Sequence, residues 1–184
     1  MKIEPSPLAG SFIITPSVFE DNRGYFFESF SQKRLDEALG YSPNFVQDNQ
    51  SQSKYGVVRG LHLQMGEHAQ AKLVRSLEGA ILDVIVDVRP DSKQFGESFA
   101  IELTAQNKKQ LFVPRGFAHG FAVLSDIATI HYKADNYYNK ESESGLLYND
   151  PVLKINWRIS QSDITTSEKD LTLPTLEKFG SIIR

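Results

Sequence analysis

Charged and titratable side chains occur in two segments that otherwise resemble β-strands. The first, VVRGLHLQMGEHAQAKLV, carries Arg59, His62 and Lys72, and the second, PRGFAHG, carries His119. A charged side chain on a strand is ordinary where that face meets water, and it is costly where the face is buried. Such groups on an inward face would therefore mark a ligand site rather than a part of the core.

The two histidines share a local context, because each lies near a glycine that permits an unusual backbone or the close approach of a ligand. Arg59 and His62 are three residues apart, so a regular strand would place them on opposite faces. A β-bulge at Gly60 would bring both inward. Taken singly, a strand histidine is more often a surface or hydrogen-bonded structural residue, and that interpretation stays open for His62 and His119.

Composition limits the chemistry that these groups can perform. The chain has 184 residues with no linker-like break, which predicts one domain over residues 1–184. It has no cysteine, which excludes disulfides, thiolate catalysis and cysteine-based zinc or iron–sulfur sites. The net charge of -3 argues against nucleic acid as a partner. It still allows a small anionic ligand held by a few arginines and lysines.

The N-terminal segment MKIEPSPLAGSFIITP lacks the charged-then-apolar layout of a signal peptide. No apolar run in the sequence is long enough to cross a bilayer. We therefore expect a cytoplasmic protein with no membrane partner.

Hydrophobic periodicity is mostly two residues, which predicts strands. Turn material such as EDNRG, LEG, RPDSKQFG and VPRG separates them. The predicted strands cover residues 11–19, 24–30, 45–50, 56–63, 71–78, 80–88, 97–104, 109–114, 119–124 and 127–134. Helices are predicted at Gln32–Leu39, between Ser31 as N-cap and Gly40 as stop, and after Ser167. Many short, evenly spaced strands indicate an all-β antiparallel barrel or sandwich, best matched by a jelly roll with a few short helices.

The segment AILDVIVDV shows how this alternation assigns faces. Residues 80, 82, 84, 86 and 88 share one face, and Ile81, Asp83, Ile85 and Asp87 share the other. Asp83 and Asp87 could simply face water, and that is our expectation for Asp87. Two further histidines, His68 in the loop MGEHAQ and His131 on a predicted strand, are expected to be exposed and are given no role.

The histidine segments resemble the two motifs of the cupin barrels, namely GLHLQ followed by Gly79, and PRGFAH. Further segments are AQAKLVRSLEGAILDVIVDVR, FVPRGFAHGFAVL, HYKADNYY, LLYNDP, INW and SEKD. Their combination in this order resembles the dTDP-4-dehydrorhamnose 3,5-epimerase family over nearly the whole chain. The sequence departs from that family's usual residues at Leu63, Ala71, Arg115 and His131. These departures remove no reacting group, but they could alter the preference among related sugars.

The resemblance also bears on metal binding. Metal-binding cupins use a His-x-His pair, a carboxylate and a further histidine. This chain has Gln64 at the second ligand position and Lys72 near the carboxylate position. A lysine ammonium repels a divalent cation but suits a developing oxyanion. We therefore expect no metal and no other cofactor.

The activity that the family resemblance implies is epimerisation at the two carbons beside the keto group of a nucleotide-linked 6-deoxyhexose. His62 resembles the family's base, with Asp170 orienting its imidazole. Lys72 would stabilise the enolate, and Tyr132 resembles the acid that returns a proton to the opposite face. His119, oriented by Asp83, would assist at the enolate side. The structural alternatives for these residues are a core or rim tyrosine and a solvent-facing lysine.

Substrate binding is assigned to a second set of residues. Arg23, Arg59 and Lys169 could neutralise a nucleoside diphosphate. The aromatic side chains of Phe19, Phe26 and Tyr138 could stack on or enclose the base. Gln47 and Asn49 resemble residues that contact the nucleotide or sugar, and the resemblance places the acidic residues Glu28 and Glu143 at the ligand.

The resemblance further implies a homodimer, since in this family the strands carrying Arg23 and Glu28 reach the partner's site. Three functions remain open at this point. The first is the 3,5-epimerase acting on a dTDP-4-keto-6-deoxyhexose, with a single-carbon epimerase as a close variant. The second is a metal-dependent cupin enzyme, which Gln64 and Lys72 disfavour. The third is a non-catalytic sugar-binding cupin, which would not need His62, Lys72 and Tyr132 together.

Overall fold

A computed structural model describes residues 1–183; Arg184, the last residue of the predicted domain, lies outside the described residues. The described chain is mainly antiparallel β-structure with short helices, which confirms the predicted all-β class. The strands are β1 (Lys2–Pro5), β2 (Phe12–Thr15), β3 (Phe19–Asp21), β4 (Gly24–Phe26), β5 (Gln47–Lys54), β6 (Val58–Gln64), β7 (Lys72–Glu78), β8 (Ala80–Asp87), β9 (Ser98–Thr104), β10 (Gln110–Val113), β11 (Phe117–Val123), β12 (Ile127–Ala134) and β13 (Glu143–Gly145).

Two large sheets form a jelly-roll sandwich. The six-stranded sheet has the order β1-β2-β10-β7-β12-β5, and the five-stranded sheet has the order β13-β6-β11-β8-β9. Strands that are consecutive in the chain are often in different sheets, because the chain crosses repeatedly from one sheet to the other. A separate hairpin pairs β3 with β4, with Phe19 opposite Phe26.

Strand β8 is buried on both faces, which explains its nearly continuous apolar sequence. Ile81 and Ile85 pack between the sheets with Val74 and Ile130 of the facing sheet. Residues 82, 84 and 86 pack on the other side against the chain after β13 and the C-terminal helix. The predicted division of β8 into two faces is therefore confirmed.

The expectation that Asp87 faces water is wrong. Asp87 is fully buried, and it accepts hydrogen bonds from Arg89 Nε (2.9 Å) and Ser92 Oγ (2.6 Å). Burial alone would raise the pKa of Asp87, but these hydrogen bonds outweigh it and hold the pKa below its usual value. The loop after β8 folds back over Asp87, a contact that the alternation within β8 could not show.

Helix α1 (Gln32–Leu39) begins and ends as predicted. The Ser31 side chain accepts a hydrogen bond from the backbone N–H of Arg34, and Gly40 adopts φ 75° at the C-cap, a left-handed conformation that favours glycine. The predicted C-terminal piece is two helices, α2 (Glu168–Leu171) and α3 (Leu176–Ile183). Ser167 caps α2 through the backbone N–H of Asp170, as its spacing indicates.

Most predicted strands are present with shifted ends. The predicted strand 11–19 is two strands, β2 and the beginning of the hairpin, because the chain leaves the sheet between Thr15 and Phe19. Strands β1 and β13 were not predicted. β13 is three residues long, and its position is set by pairing with β6 rather than by a pattern of its own.

In residues 1–183, no helix is long and apolar enough to span a membrane.

Candidate active site

A cavity of about 260 Å³ opens between the two sheets. Its lining includes most of the predicted catalytic side chains, which come from both sheets. The lining residues are Asn49, Gln50, Ser51, Arg59, His62, Lys72, His119, Gly120, Phe121 and Tyr132. The inward faces of β5, β6, β7, β11 and β12 thus meet at one place.

An irregularity in β6 brings Arg59 and His62 to this cavity. His119 of β11 pairs with His62, whereas Phe121 pairs with Arg59, so β6 contains one extra residue between the two pairs. Gly60 lies there, with φ 111° and with the backbone of Gly120 so close that a Cβ would clash. The predicted bulge is therefore present, and glycine is required for it.

The His62 imidazole is fixed by Asp170. His62 Nε2 lies 2.7 Å from Asp170 Oδ1, and the backbone N–H of Gly60 donates to Asp170 Oδ2 at 3.1 Å. Asp170 is buried; burial would raise its pKa, but the hydrogen bonds from His62 and Gly60 hold the pKa below its usual value. With Nε2 engaged, Nδ1 is the ring nitrogen left to accept a proton.

His119 and Asp83 form a second pair on neighbouring strands. His119 Nε2 lies 2.8 Å from Asp83 Oδ1, and both side chains are buried. Asp83 therefore does not face water. Its second oxygen, Oδ2, is buried and has no hydrogen-bond partner in residues 1–183.

Lys72 projects from β7 into the cavity and is buried. Burial lowers the pKa of Lys72 to about 8, although the carboxylates of Asp83 and Glu143 oppose the shift. Lys72 Nζ lies 5.7 Å from the centre of the Tyr132 ring. The cavity thus holds a cation that is protonated at neutral pH. Among residues 1–183 no carboxylate forms a salt bridge with it, so its charge is available to a developing oxyanion.

Tyr132 enters from β12, opposite Asn49 on β5 and Val74 on β7. Burial raises the pKa of Tyr132, and the nearby negative charge of Glu143 raises it further. The phenol is therefore protonated at neutral pH and able to donate.

Glu143 joins three segments next to β6, where it lies opposite Gln64. It accepts hydrogen bonds from Tyr138 Oη (2.7 Å) and Lys169 Nζ (2.5 Å), and its strand pairs with β6 so that Gly145 lies opposite His62. Burial would raise the pKa of Glu143, but Lys169 and Tyr138 outweigh it and keep the pKa below its usual value. Glu143 is therefore an anion within electrostatic reach of His62.

A second cavity, of about 370 Å³, shares Arg59 and His62 with the first. Ser167, Lys169 and Asp170 also line it. Arg59 Nε donates to Ser53 Oγ at 3.0 Å, which leaves the rest of the guanidinium for a ligand. Two cations therefore lie beside the reacting groups, where an anionic part of a substrate could bind.

Similar proteins identify the chain. A protein-family model described as dTDP-4-dehydrorhamnose 3,5-epimerase matches residues 5–178. The dTDP-4-dehydrorhamnose 3,5-epimerase of Escherichia coli K12 is 48% identical over 178 residues, 97% of this chain and 96% of that protein. The chain belongs to the dTDP-4-dehydrorhamnose 3,5-epimerase family.

Solved structures agree with this assignment. The crystal structure of the dTDP-4-dehydrorhamnose 3,5-epimerase from Elizabethkingia anophelis NUHP1 is similar with a TM-score of 0.94 and 53% identity, covering 97% of each chain. A dTDP-6-deoxy-D-glucose-3,5-epimerase from Legionella pneumophila Philadelphia 1, solved with dTDP-4-keto-L-rhamnose, is similar with a TM-score of 0.91 and 43% identity, covering 96% of this chain and 93% of that one. The cupin jelly roll expected from the epimerase-family resemblance is thereby confirmed.

Four predicted epimerase site residues lie on or just after the β3–β4 hairpin, away from both cavities that contain His62. Phe19, Arg23 and Phe26 belong to the β3–β4 hairpin and line a separate hollow of about 480 Å³. Arg23 pairs with Asp21, and Glu28 pairs with Arg34 at 3.4 Å. The hairpin's aromatic side chains are largely exposed, Phe19 at 66% and Phe26 at 70%. Within residues 1–183, these groups have no place in the epimerase site of their own chain.

The expectation that His131 is exposed is wrong. Its side chain is 20% exposed, and its Nε2 lies 3.5 Å from Asp48 Oδ2. Burial lowers the pKa of His131, partly opposed by Asp48. His68 is likewise half-buried rather than exposed, in a short 3₁₀ turn. Neither histidine lines the cavity with His62.

The other departures from the family's usual residues also lie outside that cavity lining. Arg115 Nε donates to Asp135 Oδ2 at 2.9 Å, and the backbone N–H of Ala71 donates to Asp135 Oδ1 at 2.6 Å. Leu63 packs in the core behind the five-stranded sheet. An effect of these residues on sugar preference stays a prediction.

The position that a metal ligand would occupy is used for packing. Gln64 is buried, and its Oε1 accepts a hydrogen bond from the backbone N–H of Asn139 at 2.9 Å. Across residues 1–183, no three His, Cys, Asp or Glu side chains are grouped closely enough to hold a metal ion.

Sequence reasoning missed several residues that line the two cavities. Ser51 continues the inward alternation of Gln47 and Asn49 along β5, so the same pattern could have identified it. Thr165 and Thr166 carry no comparable signal, because their position depends on the docking of the segment before α2.

Proposed function

We propose that the chain is a dTDP-4-dehydrorhamnose 3,5-epimerase. It epimerises C3 and C5 of dTDP-4-dehydro-6-deoxy-D-glucose and gives dTDP-4-dehydro-L-rhamnose, a step in the formation of dTDP-L-rhamnose. The observation that carries the proposal is the convergence of a carboxylate-bound histidine, a buried lysine and a half-buried tyrosine on one cavity. The family, and the activity for which its relatives are named, support the same reaction.

The reaction needs three kinds of group, because a carbon next to a ketone becomes acidic only if the enolate oxygen is stabilised as the proton leaves. His62, held by Asp170, removes the proton. Lys72 stabilises the enolate, and the His119–Asp83 pair assists on that side. Tyr132 returns a proton to the opposite face, so the configuration at that carbon is inverted.

The nucleotide part of the substrate is held by residues beside the catalytic groups. Arg59 and Lys169 neutralise the diphosphate, since both line the second cavity next to His62. Tyr138 and Glu143 contact the ligand at the mouth of the site. The ligand reported for the Legionella protein, dTDP-4-keto-L-rhamnose, supports a dTDP-linked ketosugar.

The active enzyme is a homodimer with shared sites. Phe19 and Phe26 are apolar and exposed, and the Arg23 side chain is 86% exposed on the same hairpin. An exposed aromatic pair flanking an arginine suits a nucleotide base and its phosphates. The hairpin, followed by Glu28, completes the site of the partner subunit.

Three further proposals concern the number of domains, the cofactors and the location of the protein in the cell. Residues 1–184 form a single domain that needs no metal and no other cofactor. The enzyme is cytoplasmic and has no nucleic-acid or membrane partner.

Two measurements test the function and the shared site. The first is incubation with dTDP-4-dehydro-6-deoxy-D-glucose, with the product's configuration read by NMR; an unchanged substrate would refute the proposal. The second mixes inactive His62→Ala subunits with inactive Arg23→Ala subunits. If sites are shared, mixed dimers contain one site without either substitution and regain activity. If dimers that are shown to contain one subunit of each variant do not regain activity, Arg23 does not belong to the partner's site.

A further inference from the structure

The ammonium group of Lys72 is not held by a polar partner. Within residues 1–183 it forms no hydrogen bond and no salt bridge, and it lies 5.7 Å from the centre of the Tyr132 ring. A group that stabilises a developing oxyanion must nevertheless be placed accurately before the reaction. The position of Lys72 therefore depends on packing and on the backbone at the start of β7.

That backbone is fixed by the end of β12. Lys72 lies opposite Ala134, so Ala71 and Asp135 form the next position of the ladder. The backbone N–H of Asp135 donates to Ala71 O at 3.1 Å. In the other direction, the N–H of Ala71 donates to the Asp135 side chain, at 2.6 Å from Oδ1. The carboxylate thus replaces the last backbone acceptor of the ladder, one residue before Lys72.

Asp135 is in turn held from a third segment. Its side chain is only 7% exposed, and its Oδ2 accepts a hydrogen bond from Arg115 Nε at 2.9 Å. Arg115 lies in the turn between β10 and β11. A buried carboxylate is costly unless its charge is compensated, and Arg115 provides that compensation. The ion pair also keeps the other oxygen directed at Ala71.

Other hydrogen bonds keep the same two segments together without Asp135. Gln70 Nε2 donates to Asn136 O at 2.7 Å, and Asn136 Nδ2 donates to Glu67 O at 2.9 Å. Loss of the Asp135 carboxylate should therefore loosen the start of β7 without unfolding the loop that precedes it.

We propose that Asp135 is a positioning residue for Lys72: its carboxylate, with its charge compensated by Arg115, fixes the backbone of Ala71 and hence the point at which Lys72 enters the cavity. The proposal rests on the proposed function for the role of Lys72. Asp135 is not among the lining residues of either cavity that contains His62, so it acts through Lys72 and not on the substrate.

Two substitutions of equal charge test this role. Asp135→Ala leaves the Ala71 N–H without its acceptor, whereas Asp135→Asn keeps an acceptor oxygen at the same distance from the backbone. We expect kcat to fall by at least ~10-fold in Asp135→Ala and to stay within ~3-fold of wild type in Asp135→Asn. The Kd for dTDP should change by less than ~2-fold in both, because Arg59 and Lys169 are unaffected.

Glu102→Ala is the control for a lost carboxylate. Glu102 lies on β9, and its Oε2 forms an exposed salt bridge with Arg158 Nη1 at 3.1 Å. Since neither residue lines a cavity with His62, this variant should keep the wild-type kcat.

Titration of Lys72 in the free protein provides a measurement without turnover. Its ¹³Cε signal is assigned by its absence from Lys72→Met. A looser start of β7 admits water, which favours the charged form, so Lys72 should titrate at a higher pH in Asp135→Ala than in Asp135→Asn. The charged and titratable groups around Lys72 are the same in both variants, namely Arg59, His62, Asp83, His119, Tyr132 and Glu143.

Equal kcat values in the two Asp135 variants, or the same titration of Lys72 in both, would overturn the positioning role. If Lys72 titrates at a higher pH in Asp135→Ala but the wild-type chain does not turn over the substrate, the positioning role is supported and only the proposed reaction is rejected.

Discussion

His62 Nε2 and Asp170 Oδ1 lie 2.7 Å apart although 108 residues separate them in the chain. The carboxylate comes from α2 and the imidazole from β6, so the pair exists only when the C-terminal segment docks on the barrel. The backbone N–H of Gly60 donates to the carboxylate, and Ser167 Oγ holds the backbone of Asp170 by accepting a hydrogen bond from its N–H. The reactivity of His62 is therefore coupled to the docking of the segment that contains α2.

Asp170→Asn should impair proton abstraction while leaving the fold intact. The amide preserves size but can favour the wrong histidine tautomer, and it no longer stabilises the imidazolium. We expect solvent exchange of the substrate's C3 and C5 hydrogens to slow by about 10²-fold or more, with dTDP affinity unchanged. Glu168→Gln, the same chemical change at an exposed position of α2, is the control. If both variants exchange the substrate's C3 and C5 hydrogens at the same rate, Asp170 has only a structural role.

Tyr132→Phe should separate proton removal from inversion. The substitution keeps the ring and removes only the hydroxyl group that returns the proton. In deuterated water, the variant should still exchange substrate hydrogen with solvent but fail to invert, most clearly at C5. NMR scored separately at each carbon is the measurement, with the neighbouring exposed Tyr137→Phe as control. Inversion of both carbons at the normal rate would mean that another group is the donor.

Much of this arrangement could be predicted from the sequence, because the patterns that indicate it lie within short segments of the chain. Alternation in β8 predicted two faces, Ser31 and Gly40 set the limits of α1, and Gly60 indicated the bulge that turns Arg59 inward. The motifs around His62 and His119 then connected the site to a family.

The features that could not be predicted from the sequence depend on contacts between segments that are distant in the chain. Asp87 is buried where Arg89 and Ser92 of the following loop donate hydrogen bonds to it. His131 is half-buried, with its Nε2 near Asp48. β13 is placed by its pairing with β6, so the link from Glu143 to Lys169 had no local signal in the sequence.

Lys72→Met should raise stability and abolish activity. Burial lowers the pKa of Lys72 to about 8 in the folded chain, below its usual 10.5. Between about pH 8 and pH 10.5 the unfolded chain therefore binds more protons than the folded chain. The free-energy cost of burying the charged Lys72 is fully present below about pH 8, and it disappears as the pH rises to about 10.5. We expect the variant to be more stable at pH 7 by up to about 3 kcal/mol in urea unfolding, with a smaller difference at higher pH.

Lys178→Met, at an exposed position of α3, is the matched control and should change stability by less than about 0.5 kcal/mol. The wild-type enzyme should also lose kcat as pH rises above about 8, because Lys72 then loses the charge that stabilises the enolate. A Lys72→Met variant less stable than wild type at pH 7 would contradict the burial penalty.

Exhaustive dialysis against a chelator should leave activity unchanged. Gln64 is hydrogen-bonded to Asn139 at the position where a metal-binding cupin has a ligand, and Lys72 would repel a divalent cation. The measurement is the initial rate before and after dialysis. If dialysis abolishes activity and added zinc, iron or manganese restores it, the proposed acid–base chemistry without a metal is contradicted.

The most direct test of two-carbon epimerisation is incubation of the wild-type protein with dTDP-4-dehydro-6-deoxy-D-glucose in deuterated water, followed by NMR of both carbons. His62, Lys72 and Tyr132 in one cavity predict deuterium at C3 and at C5, with the configuration inverted at each in the product. Deuterium at C3 alone would show a single-carbon epimerase, and no exchange at either carbon would contradict the proposed reaction.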